Sequence, residues 1–210
     1  MGAESTGKTT LARQLVDRIH ADTGLRVALV PEGLRGWCER EGRTPQAHEQ
    51  AAIAQSQNQA IDAARVGSDV VIADTTSLMT AIYSRLIFGD ERLTSDALTH
   101  HRRCAMTLVM ALDLPWVADG IQRDGPHVQV PVMQSLRDLL TTHALPWALV
   151  SQSGAARLES AMDAVAPLLR NLPSPRPGLF TRLSQRNAEP AARSWRCERC
   201  DDPDCERRAR

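Results

Sequence analysis

Lysine is almost missing from this chain of 210 residues: of 25 basic side chains only Lys8 is a lysine, and the rest are arginine. Aromatic side chains amount to 3%, too few for the stacking platforms on which proteins hold single-stranded nucleic acid. Net charge is missing too, because 25 acidic residues balance the 25 basic ones. That balance removes the long-range field that would draw the molecule to nucleic acid or to an anionic membrane, and leaves only local contacts. No apolar run approaches the roughly 20 residues that a bilayer-spanning helix needs, and the first residues lack the basic-then-apolar order of a signal peptide. The expectation is a cytoplasmic protein with no membrane partner. The five cysteines, three of them at Cys197, Cys200 and Cys205, suit a reducing compartment better than a disulfide framework.

The length fits one α/β core with an appendage. Leu11, Leu15, Val16 and Ile19 recur at helical spacing over 9–22, and Gly24 closes that helix. The run RVALVP over 26–31 reads as a short buried strand, 35–41 as a short helix, and 46–65, opened by Pro45, as a longer one. Apolar strands follow over 69–74, 104–113 and 147–151, the first two ending in aspartate, with helices near 78–88, 128–143 and 155–170. Strands alternating with helices predict a parallel sheet covered by helices on both faces. The stretch 114–126, with two prolines, two glycines and several charges, reads as a mobile loop. Beyond Leu172 the run LPSPRPG opens a region of little periodicity. The expected division is a domain over 1–171, an irregular Pro-rich linker over 172–194 and a Cys-rich tail over 195–210.

What is present at the start of the chain is Gly2-Ala3-Glu4-Ser5-Thr6-Gly7-Lys8-Thr9, which matches G-x-x-x-x-G-K-[ST] and opens an amphipathic helix. In such a phosphate loop backbone amides cradle phosphate oxygens, the lysine reaches the β- and γ-phosphates, and the Thr9 hydroxyl binds Mg²⁺. The expected ATP contacts are Gly2, Glu4, Ser5, Thr6, Gly7, Lys8, Thr9 and Thr10. A compact ammonium on a flexible stem suits that task and a planar guanidinium does not, so a single lysine at this position reads as one kept for its chemistry. The implied class is a P-loop nucleotide-binding fold, a three-layer α/β sandwich. A strand ordinarily precedes and aims such a loop, yet Met1 adjoins Gly2 directly. The expectation is a polypeptide that starts upstream, because loss of an interior strand leaves unpaired backbone and an open groove in the core.

Asp74 ends an apolar strand, where ligands of open parallel sheets bind, and can hold Mg²⁺ or accept a proton from an attacking hydroxyl. Its alternative role is to cap the helix beginning at Thr75. Glu32 lies on the same rim by the same rule, as a substrate ligand or as a solvated loop carboxylate. Asp113 also ends a strand but can serve the turn at Pro115. Asp119, Arg123 and Asp124 sit among glycines in 114–126, a composition that fits either a lid, with Arg123 stabilising charge on a transferred phosphoryl group, or a solvated surface loop. Cys197, Cys200 and Cys205 have the spacing of a zinc knuckle with three ligands, the fourth coming from His100, His101, Cys104 or a second chain; an unligated tail is the competing reading.

Five segments together, GAESTGKTTLA at 2–12, VPEGLR at 30–35, IAQSQ at 53–57, ADTTSLMTAIYSRLIFG at 73–89 and LPWVADGIQR at 114–123, resemble the ribosylnicotinamide kinase domain of NadR-type proteins, a P-loop, AAA-like ATP-binding domain. The resemblance covers roughly residues 1–170. It implies phosphorylation of the 5′-hydroxyl of nicotinamide riboside from ATP·Mg²⁺, giving nicotinamide mononucleotide. It further implies phosphate binding by Gly7, Lys8 and Thr9, magnesium and hydroxyl handling near Asp74, and nucleoside contacts around Glu32, Arg35 and the lid with Asp119. Thr76 and Ala118 stand where the family commonly carries acidic residues, and nothing resembles the H-x-G-H signature of an adenylyltransferase domain. The expected catalytic set is Lys8, Asp74 and Arg123. Two rival readings remain: a nucleotide-binding regulatory ATPase or switch without small-molecule kinase activity, and an adaptor that uses a zinc knuckle.

Overall fold

The computed structural model describes residues 1–117 and 125–172. In chain order these form α1 (Lys8–Thr23), β1 (Val27–Val30), α2 (Gly33–Glu41), α3 (Gln50–Arg65), β2 (Val70–Ala73), α4 (Ser77–Phe88), α5 (Thr94–His101), β3 (Thr107–Met110), α6 (Gln129–Thr142), β4 (Trp147–Val150) and α7 (Gly154–Leu169). Single 3₁₀ turns precede α3 and α6. Cys197, Cys200 and Cys205, the proposed linker beyond 172, and Asp119, Arg123 and Asp124 lie outside the described residues.

The strands run parallel, as expected, but in two ladders. Val27 to Val30 pair in register with Val70 to Ala73, and Thr107 to Met110 pair with Trp147 to Val150. Among the described residues no strand ladder joins β2 to β3, so the single sheet read from the alternation is divided at its centre. The expected strand over 104–113 shrinks because its first residues still belong to the turn that closes α5, where the Cys104 amide bonds to the His101 carbonyl at 2.9 Å. Helix α5 itself carries few apolar residues, burying Ala97, Leu98 and His101, and helical spacing over so few positions gives no signal in the sequence.

Helix α1 exists because Leu11, Ala12, Leu15 and Ile19 bury along one stripe. It ends where Gly24 takes a left-handed φ of 73° and its amide caps the His20 carbonyl. The helix packs on both β1 and β2, and α7 packs on α1 and β4. A second apolar centre joins Leu78 and Ile82 of α4 to Val109 of β3 and to Val132, Leu136 and Leu140 of α6, all with at most 1% of their surface exposed. Each such side chain contributes about 1.5–3 kcal/mol on burial, and the cluster fixes α4 and α6 on the carboxyl-end side of the strands, around the Gly2–Thr9 loop.

Candidate functional site

The loop from Gly2 to Gly7 turns back on itself and ends at the first turn of α1. Gly7 is the N-cap residue with φ 76°, and a β-carbon there would stand 3.2 Å from Leu114 Cδ1. Gly2, at φ +155°, would place a β-carbon 3.1 Å from that of Met110. Both positions of the motif therefore need glycine for conformation and for space. The loop is held by its carbonyls. Thr6 Oγ1 donates to Ala3 O at 2.9 Å, Lys8 Nζ donates to the same oxygen at 2.8 Å, Gln129 Nε2 reaches Glu4 O at 2.8 Å, and Arg157 Nη1 reaches Thr6 O at 2.7 Å. Ser5, at φ 58°, accepts through Oγ from the Val117 amide at 2.7 Å. A helix N-terminus reached through a carbonyl-anchored loop is an anion site in waiting.

Asp74 leaves the carboxyl end of β2 with 4% exposure. Its Oδ2 accepts from Thr9 Oγ1 at 2.5 Å, while Oδ1 is buried with no hydrogen-bond partner among the described residues. Capping is not its role: α4 begins at Ser77, and Thr76 is the cap, its Oγ1 accepting from the Leu78 amide. A buried carboxylate oxygen without a partner, beside a hydroxyl already on the other oxygen, is a donor set that fits a hard divalent cation such as Mg²⁺. Thr10 is exposed on α1, one residue past this pair.

Glu32 is the N-cap residue of α2 and is half-buried, as is Arg35 in the first turn. What ties this rim to Asp74 is Gln57 of α3, a residue that no local sequence signal marks. Its Oε1 accepts from the Gly33 amide at 2.7 Å, and its Nε2 donates to Pro31 O at 3.2 Å and Thr75 O at 3.1 Å. The carboxyl ends of β1 and β2 are thus bridged by one buried amide.

On the other ladder Asp113 is committed to structure. Its Oδ2 accepts from the Gln152 amide at 2.5 Å and its Oδ1 pairs with Arg157 Nη2. Arg157, 5% exposed, also donates through Nε to Gln152 O at 2.6 Å, so that one guanidinium joins α7, the end of β4 and the phosphate loop. No local signal marks Arg157, since Thr6 is 151 positions away.

For the zinc reading, the three tail cysteines fall outside the described residues, and among the described residues no cluster of His, Cys, Asp and Glu could hold a metal ion. The suggested fourth ligands are otherwise engaged or buried. His100 Nε2 meets Asp62 at 3.3 Å, His101 lies between Thr76 and Thr107, and burial pushes the Cys104 thiol above its usual range. No helix among the described residues is long and apolar enough to cross a membrane.

A glycine-turned loop on a helix N-terminus, a lysine within it and a strand-end aspartate on the following threonine define a P-loop nucleotide-binding α/β domain. The model of the AAA domain family matches residues 1–157, and the chain belongs to that family. Among solved structures it is similar to NadR protein in complex with NAD and AMP-PNP, with 21% identity and a TM-score of 0.63. The match covers 81% of this chain and 48% of that one, so the chain spans about half the length of that relative. The fold is accordingly that of a NadR-like P-loop domain. No curated protein sequence matches the chain.

Proposed function

We propose that the domain transfers the γ-phosphoryl group of ATP to a hydroxyl of a small nucleoside-like acceptor, with nicotinamide riboside the first candidate. The observation that carries this reading is Asp74: a buried carboxylate with one oxygen on Thr9 and the other unpartnered, at the carboxyl end of β2 beside the phosphate loop. That second oxygen is placed to ligate Mg²⁺ or to take the proton of an acceptor hydroxyl. The bridge from Gln57 to the rim carrying Glu32 gives the acceptor a fixed wall, and the likeness to NadR protein, solved with NAD and AMP-PNP, supports a nicotinamide-bearing ligand.

In this mechanism the loop amides and the N-terminus of α1 bind the phosphates. Lys8 leaves the Ala3 carbonyl for the β- and γ-oxygens, Arg123 stabilises charge on the transferred phosphoryl group, and Asp119 contacts the acceptor. Thr9 and Asp74 would hold Mg²⁺, which would supply charge neutralisation at the phosphates. Glu32 and Arg35 orient the acceptor, whose hydroxyl oxygen attacks phosphorus in line. The new oxygen–phosphorus bond forms as the bond to the β-phosphate oxygen breaks, the hydroxyl proton passes to Asp74 Oδ1, and ADP departs.

The test is ADP release from ATP·Mg²⁺ with nicotinamide riboside and a panel of other nucleosides. Stimulation by nicotinamide riboside above the panel is expected. Measurable ATP binding with no stimulation by any nucleoside would replace the kinase with a regulatory ATPase or switch.

A further inference from the structure

Besides Asp74 Oδ1, the buried polar atoms without a partner among the described residues include Gln50 Oε1 on α3 and Ser77 Oγ and Ser84 Oγ on α4. Those three residues are 3%, 1% and 0% exposed, on two helices that pack along one another. Gln50 lies seven residues from Gln57, so both share one face of α3. Gln57 marks where that face meets the strand ends, through Pro31 O and Thr75 O. Helix α3 ends at Arg65, shortly before the Asp69 amide joins Arg26 O at the amino ends of β1 and β2, so the helix runs against the strands. Gln50 therefore stands two turns, about 10 Å, beyond the strand ends and over the rim that carries Glu32 and Asp74. On α4, Ser77, Thr80 and Ser84 form a buried stripe of their own, turned away from the Leu78 and Ile82 that enter the apolar centre.

We propose, resting on the acceptor reading above, that the cleft between α3 and α4 takes the far end of the acceptor, and that Gln50 with Ser84 selects a neutral group bearing an N–H donor, a primary carboxamide in the first instance, about 10 Å from the hydroxyl that reacts at Asp74.

The donor set gives the chemistry. An amide oxygen accepts and a serine hydroxyl both donates and accepts, so a carboxamide satisfies both, its N–H on Gln50 Oε1 and its carbonyl under a serine hydroxyl. A carboxylate in the same place would face Gln50 Oε1 with no cation to offset it. The buried positions of α3 on this side are Gln50, Ile53, Ala54, Gln57 and Ile61, none of them charged, and Arg85, next to Ser84, turns to Ser135 of α6. Burying an unpaired charge costs far more than burying a hydrogen-bonded neutral group. Asp74 Oδ1 at one end and Gln50 Oε1 at the other thus frame a molecule with a hydroxyl at its head and an N–H group at its tail. Without that molecule the orphaned oxygens lower the stability of the fold, which is the usual cost of a polar site built into a helix interface.

The experiment measures, by titration calorimetry on the full chain with ADP·Mg²⁺ present, the binding of nicotinamide riboside and of its 3-acetylpyridine counterpart, in which a methyl replaces the amide NH₂. Thermal unfolding is read on the same proteins. The parent should prefer the carboxamide by about 10–100-fold. Gln50→Met should erase that preference, Ser84→Ala should reduce it, and Asp74→Asn, at the other end of the acceptor, should keep it. In the absence of riboside Gln50→Met and Ser84→Ala should hold Tm or raise it by up to about 4 °C, because each removes an unsatisfied oxygen. No binding of either riboside to the parent, equal binding of both, or a preference that survives Gln50→Met would each overturn the proposal. So would a fall in Tm for both variants, since the oxygens would then be holding the fold together. A preference that Gln50→Met erases, in a protein that releases no ADP with any nucleoside, would establish the cleft and sink the kinase reading alone.

Discussion

The two ladders hold the phosphate loop from opposite sides and do so with different chemistry. At the β1–β2 end sit Glu32, Gln57, Thr9 and Asp74, with a carboxylate oxygen of Asp74 left without a partner among the described residues. At the β3–β4 end Asp113 and Arg157 spend their polar atoms on one another, on Gln152 and on the Thr6 carbonyl. Buried polar groups are ordinarily satisfied, so an unpartnered carboxylate oxygen beside the phosphate loop is a place for a ligand, and the bonded end is where position is fixed. On the proposed function, the β1–β2 side is the reacting side and the β3–β4 side holds the loop still.

The sharpest way to break that division is at Lys8, which belongs to the loop itself. Lys8→Ala should lower substrate-dependent ADP release by at least about 100–1,000-fold while Tm stays close to that of the parent, because its bond to Ala3 O is partly exposed and is replaced by water. Near-parental turnover would remove the loop from the chemistry. Next in size is Asp74→Asn, which keeps shape and a bond to Thr9. A general base contributes typically about 10²–10⁴-fold, and kcat should fall within that range with a smaller change in acceptor KM. If Asp113→Asn, on the opposite end, cost kcat as much with no loss of stability, the assignment of roles to the two ends would be reversed.

Arg157→Leu tests the holding side. It removes the buried guanidinium from the Thr6 and Gln152 carbonyls while Asp113, which is exposed, turns to water, and leaving such polar groups without partners costs about 1–3 kcal/mol. Urea unfolding should show that loss, and ATP affinity should fall with it because Thr6 O is released. Combining Arg157→Leu with Asp113→Leu should recover neither stability nor ATP affinity, because the groups left unpaired are the Thr6 and Gln152 carbonyls. Recovery of both would mean that the brace stabilises the fold without positioning the loop.

Gln57→Leu is the smaller counterpart on the reacting side. It strands the Gly33 amide and the Pro31 and Thr75 carbonyls, each partly buried, for a cost of about 1–3 kcal/mol. Because Gln57 touches only the rim, acceptor KM should rise more than kcat falls. A change in kcat alone would place Gln57 closer to the reacting atoms than its bonds imply.

This contrast also explains what could be read from the sequence. The loop and Asp74 were legible because phosphate binding needs a contiguous motif and a strand-end carboxylate, both local in the chain. Gln57 and Arg157 were not, since a glutamine inside an Ala-rich helix and an arginine among 23 others have no distinguishing pattern until the fold brings Gly33 and Thr6 to them. The alternation of strands and helices gave the parallel α/β class. Helix α5 escaped because Ala97 and Leu98 alone are too few apolar positions to show helical spacing. His101, placed as a spare zinc ligand, turns out to lie across the division itself.

His101 joins the two sides: Nδ1 lies 2.9 Å from Thr76 Oγ1, beyond β2, and Nε2 lies 2.8 Å from Thr107 Oγ1 at the start of β3. Burial chiefly, with the Met1 ammonium and His100 adding repulsion, lowers its pKa from 6.5 to about 4. The folded state therefore holds the neutral ring while the unfolded state takes up a proton below pH 6.5. Stability from this group is fully present above that value and drains away as pH falls toward 4. Between pH 6.5 and 5.5 the loss should be about 1 kcal/mol, measured by urea unfolding at fixed ionic strength. His101→Gln, which keeps polar atoms for both threonines, should be less stable at pH 7.5 and should lose less between those two pH values than the parent does. An unchanged acid slope in that variant would show that the proton is taken up elsewhere, and that His101 joins the two sides without making their union sensitive to pH.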